Sequence, residues 1–323
     1  MKNILITGCA GYIGSVCAYR FLQEGYNIFG FDNLSTGHIE TIEKLKQFGN
    51  FTFIRGNLKD VSDIQMIFQN RIDAVVHFAA FSQVGESEVE PAKYYTNNVS
   101  GSINLFGEMI KNNTKTIVFS STAAIYGNPQ ETPIKENHPQ NPINVYGRTK
   151  LTIEKILDDY DKAYGLKSAK LRYFNAAGAS DDCIFGEIHN PETHLIPNVL
   201  NMSNLKVFGD DYPTPDGTCI RDYIDVEDLA EAHLSALKYI SNNNESLNLN
   251  LGTKNGTSVK EIISSCENIT GKNIKYEICP RRQGDPAILV ADNTKAYNLL
   301  GWTPKRTVQD SIKKAYEFKK RCP

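Results

Sequence analysis

Short apolar runs alternate with amphipathic stretches along the first half of the chain. The runs lie at 3–7, 27–31, 51–54, 74–78, 116–119 and 168–172, and most are β-branched or aromatic. Between them apolar positions recur at helical spacing near 12–25, 62–70, 91–112 and 145–164. The runs are continuous, as strands buried on both faces should be. Strand and helix in alternation predict an α/β fold, a Rossmann-like doubly wound parallel sheet.

After Asn175 the rhythm breaks into loops rich in Pro, Gly, Asn and Asp, at 181–193 and 209–218. Later segments regain order: a helix near 225–240, a strand near 247–251, and helices near 257–270 and 306–320. The pattern divides the chain into a nucleotide-binding domain, 1–175, and a smaller C-terminal α/β ligand domain, 176–323. Segments near 219–252 are candidates to return to the first sheet.

The bulk numbers narrow the function classes. With 35 basic and 37 acidic residues among 323, the net charge is −2. That balance exerts no broad pull on nucleic acid or on an anionic membrane. No apolar run approaches the ~18 residues of a membrane helix, and the apolar start after Lys2 is cut by Gly8 and Gly11, unlike a signal peptide. The cysteines Cys9, Cys17, Cys183, Cys219, Cys266, Cys279 and Cys322 are scattered, with no CxxC pair. They predict neither a disulfide framework nor a metal site, and they fit a cytoplasmic protein.

Gly8-Cys-Ala-Gly11-Tyr-Ile-Gly14 follows the first strand directly and opens the first helix. Glycines there allow a tight turn and close approach of backbone to a pyrophosphate, which the helix N-terminus then receives. Asp32 ends the second strand, where a carboxylate meets adenosine ribose hydroxyls. It would repel a 2′-phosphate, which favours NAD over NADP. Asp32 can equally start the turn Asp32-Asn33.

Tyr146 and Lys150 lie four residues apart in a helical stretch, so their side chains share a face. An ammonium beside a phenol favours phenolate, lowering the usual tyrosine pKa of about 10. Taken alone the pair reads as an incidental feature of a surface helix. The glycine loop and Thr122 upstream turn it into a candidate proton-transfer device.

In this order and spacing the motifs resemble the extended short-chain dehydrogenase/reductase family, and within it the UDP-glucose 4-epimerases. Beyond the glycine loop they are Asp32-Asn-Leu-Ser, His77-Phe-Ala-Ala, Val84-Gly-Glu-Ser87, Tyr94-Tyr-x-Asn-Asn98 and Ser120-Ser-Thr-Ala-Ala-Ile-Tyr-Gly127. They continue through Tyr146-x-x-x-Lys150, Leu171-Arg-Tyr-Phe-Asn175, Asp216-Gly-Thr-Cys-Ile-Arg-Asp-Tyr223 and Pro280-Arg-Arg-Gln-Gly-Asp285. The resemblance spans nearly the whole chain. It implies reversible, NAD-dependent inversion at C4 of a UDP-hexose through a transient 4-keto sugar, with Tyr146 as base, Lys150 as its cationic partner and Thr122 on the reacting oxygen.

The resemblance also implies the binding residues. NAD falls to Gly8, Gly11, Tyr12, Ile13 and Gly14, then Asp32 and Asn33, Asn57 and Leu58, and Phe78, Ala79 and Ala80. Asn97, Ser120, Tyr146, Lys150 and Tyr173 complete that set. The UDP-sugar falls to Thr122, Tyr146, Asn175, His194, Leu195, Phe208, Arg221, Tyr223, Arg282, Asp285 and Leu289. Arg221 and Arg282 would clamp the diphosphate, since guanidinium forks match phosphate oxygens. Asp285 would accept from the uridine ribose, Phe208 would pack on uracil or in the core, and His194 would orient diphosphate or sugar. Leu289 would border the sugar's 2-substituent, and its intermediate size leaves N-acetyl sugars open.

Five positions depart from the family pattern. Cys9 stands where Gly is frequent, Asn57 where an adenine-contacting Asp is usual, Ser82 where some members carry Lys, Thr122 where Ser is frequent and His194 where Asn is frequent. Cys9 reads either as a thiolate favoured by the helix N-terminus or as a small buried side chain.

Rival readings are a nucleotide-sugar 4,6-dehydratase, a UDP-pentose or UDP-uronate 4-epimerase, and a non-catalytic NAD-binding regulator. The dehydratases carry Asp-Glu directly after the Ser-Thr, where this chain has Ala123 and Ala124. A homodimer is expected, with helices near 91–112 and 145–164 pairing across a two-fold axis. Leu105, Met109, Ile153, Ile156 and Leu157 either serve that interface or face the chain's own sheet.

Overall fold

The computed structural model describes residues 2–201, 205–282 and 285–321. Cys322, and Gln283 and Gly284 of the Pro280–Asp285 motif, lie outside the described residues. The chain begins β1 (Asn3–Thr7), α1 (Tyr12–Gln23), β2 (Asn27–Asp32), α2 (Ile39–Leu45), β3 (Phe51–Arg55), α3 (Val61–Ile67) and β4 (Ala74–His77). It continues through α4 (Val84–Val89), α5 (Pro91–Tyr94), a π-helical turn (Tyr95–Ser100), α6 (Gly101–Lys111), β5 (Thr116–Thr122), a 3₁₀ turn (Ala123–Tyr126), α7 (Val145–Tyr164) and β6 (Lys167–Tyr173). Then follow β7 (Asn175–Ala177), α8 (Leu195–Asn201), β8 (Leu205–Phe208), β9 (Ile220–Arg221), β10 (Tyr223–Asp225), α9 (Val226–Asn243) and β11 (Leu247–Leu251). The last elements are β12 (Thr257–Ser258), α10 (Val259–Thr270), β13 (Tyr276–Cys279), β14 (Ile288–Leu289), α11 (Thr294–Leu300) and α12 (Val308–Arg321).

Seven parallel strands form one sheet in the order β11-β6-β5-β4-β1-β2-β3. This is the Rossmann-like sheet that the apolar runs predict. The seventh strand is the segment near 247–251: β11 pairs with β6 from Leu247↔Ala169 to Leu251↔Tyr173. The connections reverse direction between β1 and β4, and the strand ends on either side of that point flank a crevice where such folds bind ligands.

Two apolar layers cover the sheet. On one face α1 and α9 bury Val16, Phe21, Leu229 and Leu237 against Ile4, Ile6 and Val76. On the other, α3, α6 and α7 bury Ile64, Leu105, Met109, Ile153 and Leu157 against Val75, Ile117 and Phe119. Leu105, Met109, Ile153 and Leu157 therefore face the chain's own sheet, with Ile156 packed alongside, which is the second of the two alternatives their spacing left open. The helical period marked their apolar stripe without saying which surface it meets.

A third cluster joins Val199, Val207, Ile262, Cys266 and Ile312 from α8, β8, α10 and α12. The α10 start carries a complete capping box between Ser258 and Glu261, a feature worth about 1 kcal/mol at its Ser.

The helix expected over 91–112 is interrupted by the π turn at Tyr95–Ser100. That wider turn turns Asn98 inward, where Oδ1 accepts from Phe81 N at 2.9 Å and Nδ2 donates to Phe81 O at 3.0 Å and Thr149 Oγ1 at 3.3 Å. A π turn at such a place is a recurrent companion of functional sites.

Candidate active site

The glycine loop has the shape its sequence requires. Gly8 holds φ +74°, and a Cβ there would meet Ala79 N at 2.7 Å. At Gly14 a Cβ would lie 2.1 Å from the Gly8 carbonyl oxygen, so helix and loop close only with glycine at both positions. The α1 N-cap, Gly11, supplies no side-chain cap, leaving the N–H groups at Tyr12, Ile13 and Gly14 for a ligand. The Tyr12 hydroxyl donates to Gly178 O at 2.8 Å.

Asp32 ends β2 with both oxygens engaged: Oδ2 accepts from Ala10 N at 3.0 Å and Oδ1 from Leu34 N at 2.8 Å. Burial raises its pKa, opposed by those backbone donors. It thus ties the glycine loop and starts the turn, while Asn33 caps Ser35 N at 2.9 Å. Asn57 turns its Oδ1 to Lys59 N at 3.0 Å, and its own N–H donates to Asp63 Oδ2 at 2.8 Å. The oxygen expected to meet adenine therefore closes a local turn. Leu58 packs into the core beneath α6.

Phe78, Ala79 and Ala80 leave the end of β4, with the Phe78 ring 4.8 Å from that of His233. Ala79 N donates to Thr7 Oγ1 at 3.3 Å. Asn97 donates to Asn98 Oδ1 at 3.0 Å, so it braces the π turn. Cys9 is fully buried, and burial followed by the neighbouring Asp32 charge pushes its thiol well up. It is the small buried side chain, since desolvation and the Asp32 charge both work against a thiolate.

The catalytic candidates converge at the C-terminal end of β5. Helix α7 is pinned there at its first turn: Val145 N donates to Glu88 Oε1 at 2.6 Å, Tyr146 N to Ser87 Oγ at 3.1 Å and Gly147 N to Asn144 Oδ1 at 2.8 Å. Gly147 is required, since a Cβ would lie 2.6 Å from the Ala124 carbonyl oxygen. This close approach sets Tyr146 against the strand end that carries Thr122, whose Oγ1 accepts from Ala124 N at 3.1 Å.

Lys150 Nζ donates to Ser120 O at 2.7 Å and lies 5.9 Å from the Tyr146 ring centroid. Ser120 Oγ hydrogen-bonds the Tyr173 hydroxyl. The pair shares a face as the spacing predicts. The expected depression of the tyrosine is absent. Burial pushes the Tyr146 phenol up to about 12, opposed by a hydrogen bond with Thr122. Burial likewise brings Lys150 down to about 7, opposed by Glu154. Both groups lose hydration, and that cost exceeds the opposing help from Thr122 and from Glu154.

Behind the pair lies a network that the sequence did not reveal. Arg172 donates through Nη2 to Glu154 Oε2 at 2.6 Å and through Nε to Oε1 at 3.0 Å. Ser121 Oγ donates to the same carboxylate at 2.5 Å, and Arg172 Nη1 reaches Tyr126 OH at 2.9 Å. Tyr126 in turn donates to Asn250 on β11 at 2.6 Å. Glu154 continues the Tyr146–Lys150 face by one more turn, the signal by which it was discoverable. Buried His77, between Thr7 Oγ1 at 2.6 Å and Ser102 Oγ at 2.9 Å, is held neutral by desolvation, its pKa brought down to about 3.

The substrate candidates divide. Asn175 opens β7, its N–H donating to Asp222 O at 3.0 Å. Arg221 donates through Nη2 to Asp285 Oδ1 at 2.5 Å and through Nη1 to Ile220 O at 2.8 Å. Asp285 is thereby engaged by the arginine, where a ribose hydroxyl was expected. Arg282 stacks 4.1 Å from the Phe208 ring centroid, so a guanidinium covers the face assigned to uracil, a favourable cation–π contact. Tyr223 and Leu195 pack with the third apolar cluster, because β10 and the start of α8 turn inward. Leu289 packs against Ala123, Ile125 and Tyr126, next to Thr122.

His194, expected to orient diphosphate or sugar, instead turns Nδ1 to Glu187, with Glu192 Oε1 at 3.7 Å.

Four similarities to known proteins bear on the site. A family model described as GDP-mannose 4,6 dehydratase matches residues 5–315. A UDP-glucose 4-epimerase of Lactobacillus helveticus is 47% identical, covering 99% of this chain and 98% of its own. The crystal structure of UDP-glucose-4-epimerase from Stenotrophomonas maltophila, with bound NAD and formylated UDP-arabinopyranose, superposes with a TM-score of 0.96 at 37% identity over 100% of this chain and 99% of that one. The UDP-Glc/GlcNAc 4-epimerase of Campylobacter jejuni, 42% identical, superposes with a TM-score of 0.88 over the whole of both chains.

Proposed function

The chain belongs to the UDP-glucose 4-epimerases of the extended short-chain dehydrogenase/reductase family, and on that premise we propose that Tyr146, Lys150 and Thr122 carry its reaction. That reaction is the reversible, NAD-dependent inversion of C4 in a UDP-hexose. The observation that supports this reading is the seating of Tyr146 against the end of β5 by Ser87, Glu88 and Gly147.

The residues fit the cofactor: uncapped N–H groups at the start of α1, cradles at Gly8 and Gly14 that a Cβ would fill, and Asp32 at the end of β2. Gly8 to Gly14 would hold the pyrophosphate, Asp32 the adenosine ribose and Lys150 the nicotinamide ribose. When bound, NAD supplies a reversible hydride acceptor at C4, and its oxidised ring carries a positive charge.

Tyr146 takes the C4 hydroxyl proton and returns it after the sugar has turned. Its phenol, held up to about 12 in the protein alone, requires added positive charge to ionise. Lys150 contributes part of that charge on leaving the Ser120 carbonyl. Thr122 donates to the reacting oxygen, and Asn175 holds the sugar or phosphate. Arg221 and Arg282 clamp the diphosphate after exchanging Asp285 and the Phe208 ring for phosphate oxygens. The first 175 residues with the α9–β11 return hold NAD, and the remainder presents the UDP-sugar.

The family model's dehydratase description raises elimination as a second reading. It needs an acid beside Thr122, and Ala123 and Ala124 offer methyl groups there. We infer a homodimer through the outer surfaces of α6 and α7, where Ile103 and Tyr164 are exposed. Light scattering at micromolar concentration checks it, and a monomer mass rejects it. A cytoplasmic location is also inferred, from six free thiols without a disulfide among the described residues; no helix among those residues is long and apolar enough to cross a membrane.

The decisive experiment incubates purified protein with a panel of UDP-sugars and no added NAD, read by chromatography. Interconversion of UDP-glucose and UDP-galactose is expected. A stable 4-keto-6-deoxy product would establish elimination instead.

A further inference from the structure

The loop entering α8 carries four potential ligands in the pattern Glu187-x-His189-x-x-Glu192-x-His194. One donor atom from each lies within 4.8 Å of all the others. His189 Nδ1 is 3.0 Å from Glu187 Oε1 and 3.9 Å from Glu192 Oε1. His194 Nδ1 is 3.7 Å from Glu192 Oε1 and also meets Glu187 Oε1. The imidazole centroids are 5.2 Å apart.

These separations are close to those of a filled site. Four ligands at about 2.0–2.1 Å from a tetrahedral ion stand about 3.3–3.4 Å from one another. We propose that Glu187, His189, Glu192 and His194 bind one divalent transition ion, zinc foremost. Two imidazole nitrogens with two carboxylates suit zinc, whereas magnesium and calcium prefer oxygen alone. The two carboxylates and the dication balance in charge with both histidines neutral. Access is provided for: the Glu187 and Glu192 side chains are 6% and 12% exposed, and that of His194 is 51% exposed on the solvent side.

The ion is a structural tie with no part in the Tyr146–Lys150 chemistry. Its loop is bonded to the cofactor side through His38 Nε2 and Ile188 O at 3.2 Å. Leu195, directly after His194, opens α8. One ion would thus fix the strap between the segment after Asp32 and the helix that starts the sugar-binding half.

The test uses the full chain, stripped with a chelator and equilibrated with zinc chloride. The expected result is one zinc per chain by elemental analysis and a raised melting temperature. Cobalt in its place should give the visible bands of a tetrahedral nitrogen–oxygen site. The double variant His189→Ala, Glu192→Gln should bind at least about tenfold more weakly. Zinc lost on dialysis from the wild type, equal binding by the variant, or a cobalt–thiolate band in the near ultraviolet would each overturn the proposal.

Discussion

Lys150 Nζ donates to the Ser120 carbonyl oxygen at 2.7 Å from a side chain only 2% exposed. A charged ammonium there costs folding energy, which is why its pKa falls from 10.5 to about 7. The folded state therefore binds its proton less readily than the unfolded chain does. The stability present above the unfolded pKa of 10.5 is lost as pH falls toward 7, and the penalty is constant below that. Lys150→Met should escape the penalty and be more stable at pH 7 by roughly 1–3 kcal/mol, allowing for the orphaned Ser120 carbonyl. Urea melts of both proteins from pH 6 to pH 10 would show the gap closing as pH rises, while epimerase activity is lost throughout. A gap that widens with pH would contradict this account of Lys150.

Tyr146→Phe removes the proton acceptor and keeps the ring. Turnover should fall by at least about 100-fold, the usual scale of a positioned general base. NAD content should be unchanged, because the glycine loop and Asp32 are untouched. Retention of more than a few per cent of wild-type turnover would remove Tyr146 from the proposed role.

Glu154 and Arg172 form a buried, doubly hydrogen-bonded pair. Cutting either partner leaves a charge stranded, so Glu154→Leu or Arg172→Met should each cost about 3–5 kcal/mol in denaturant unfolding. Combined, the two changes should cost less than the sum of the single losses. Strict additivity would show that the two side chains are not coupled.

Leu289 lies beside Arg221 in the β14–β9 ladder and against Ala123. Leu289→Tyr adds bulk next to Thr122. Turnover of UDP-N-acetylglucosamine should then drop about tenfold or more relative to UDP-glucose, the scale of a steric change in a pocket. An unchanged ratio of the two kcat/KM values would place the sugar's 2-substituent elsewhere.

The six sheet strands of the first half were legible because double burial imposes unbroken apolar runs, as at 3–7 and 116–119. The glycine loop was legible because Gly8 and Gly14 are dictated by contacts with Ala79 and with each other. The π turn at Tyr95–Ser100 left no such mark, since one slipped hydrogen bond needs neither proline nor a changed period. Strands β9, β12 and β14 have two residues each, too few to carry a pattern. Glu154 and Arg172 read in sequence as ordinary charges, and only the approach of α7 to β6 shows them buried together. The partners of Arg221, Arg282 and His194 were hidden for a related reason: a motif names a residue, and its neighbours across a loop decide which way it turns.

The pairing of β11 with β6 has a consequence for synthesis on the ribosome. When residue 175 has been made, β6 presents an open edge, and the apolar face of α1 lacks the α9 side chains Leu229 and Leu237 that cover it. The α9 cover arrives only once residue 243 is clear of the exit tunnel, and the β11 edge partner only after residue 251. During that interval the nascent chain is a sheet with one raw margin, the form in which strands pair with the wrong neighbour. The glycine loop and its sheet thus mature only after residues contributing Asn175, Arg221 and Tyr223 have emerged, so a truncation at 175 should aggregate.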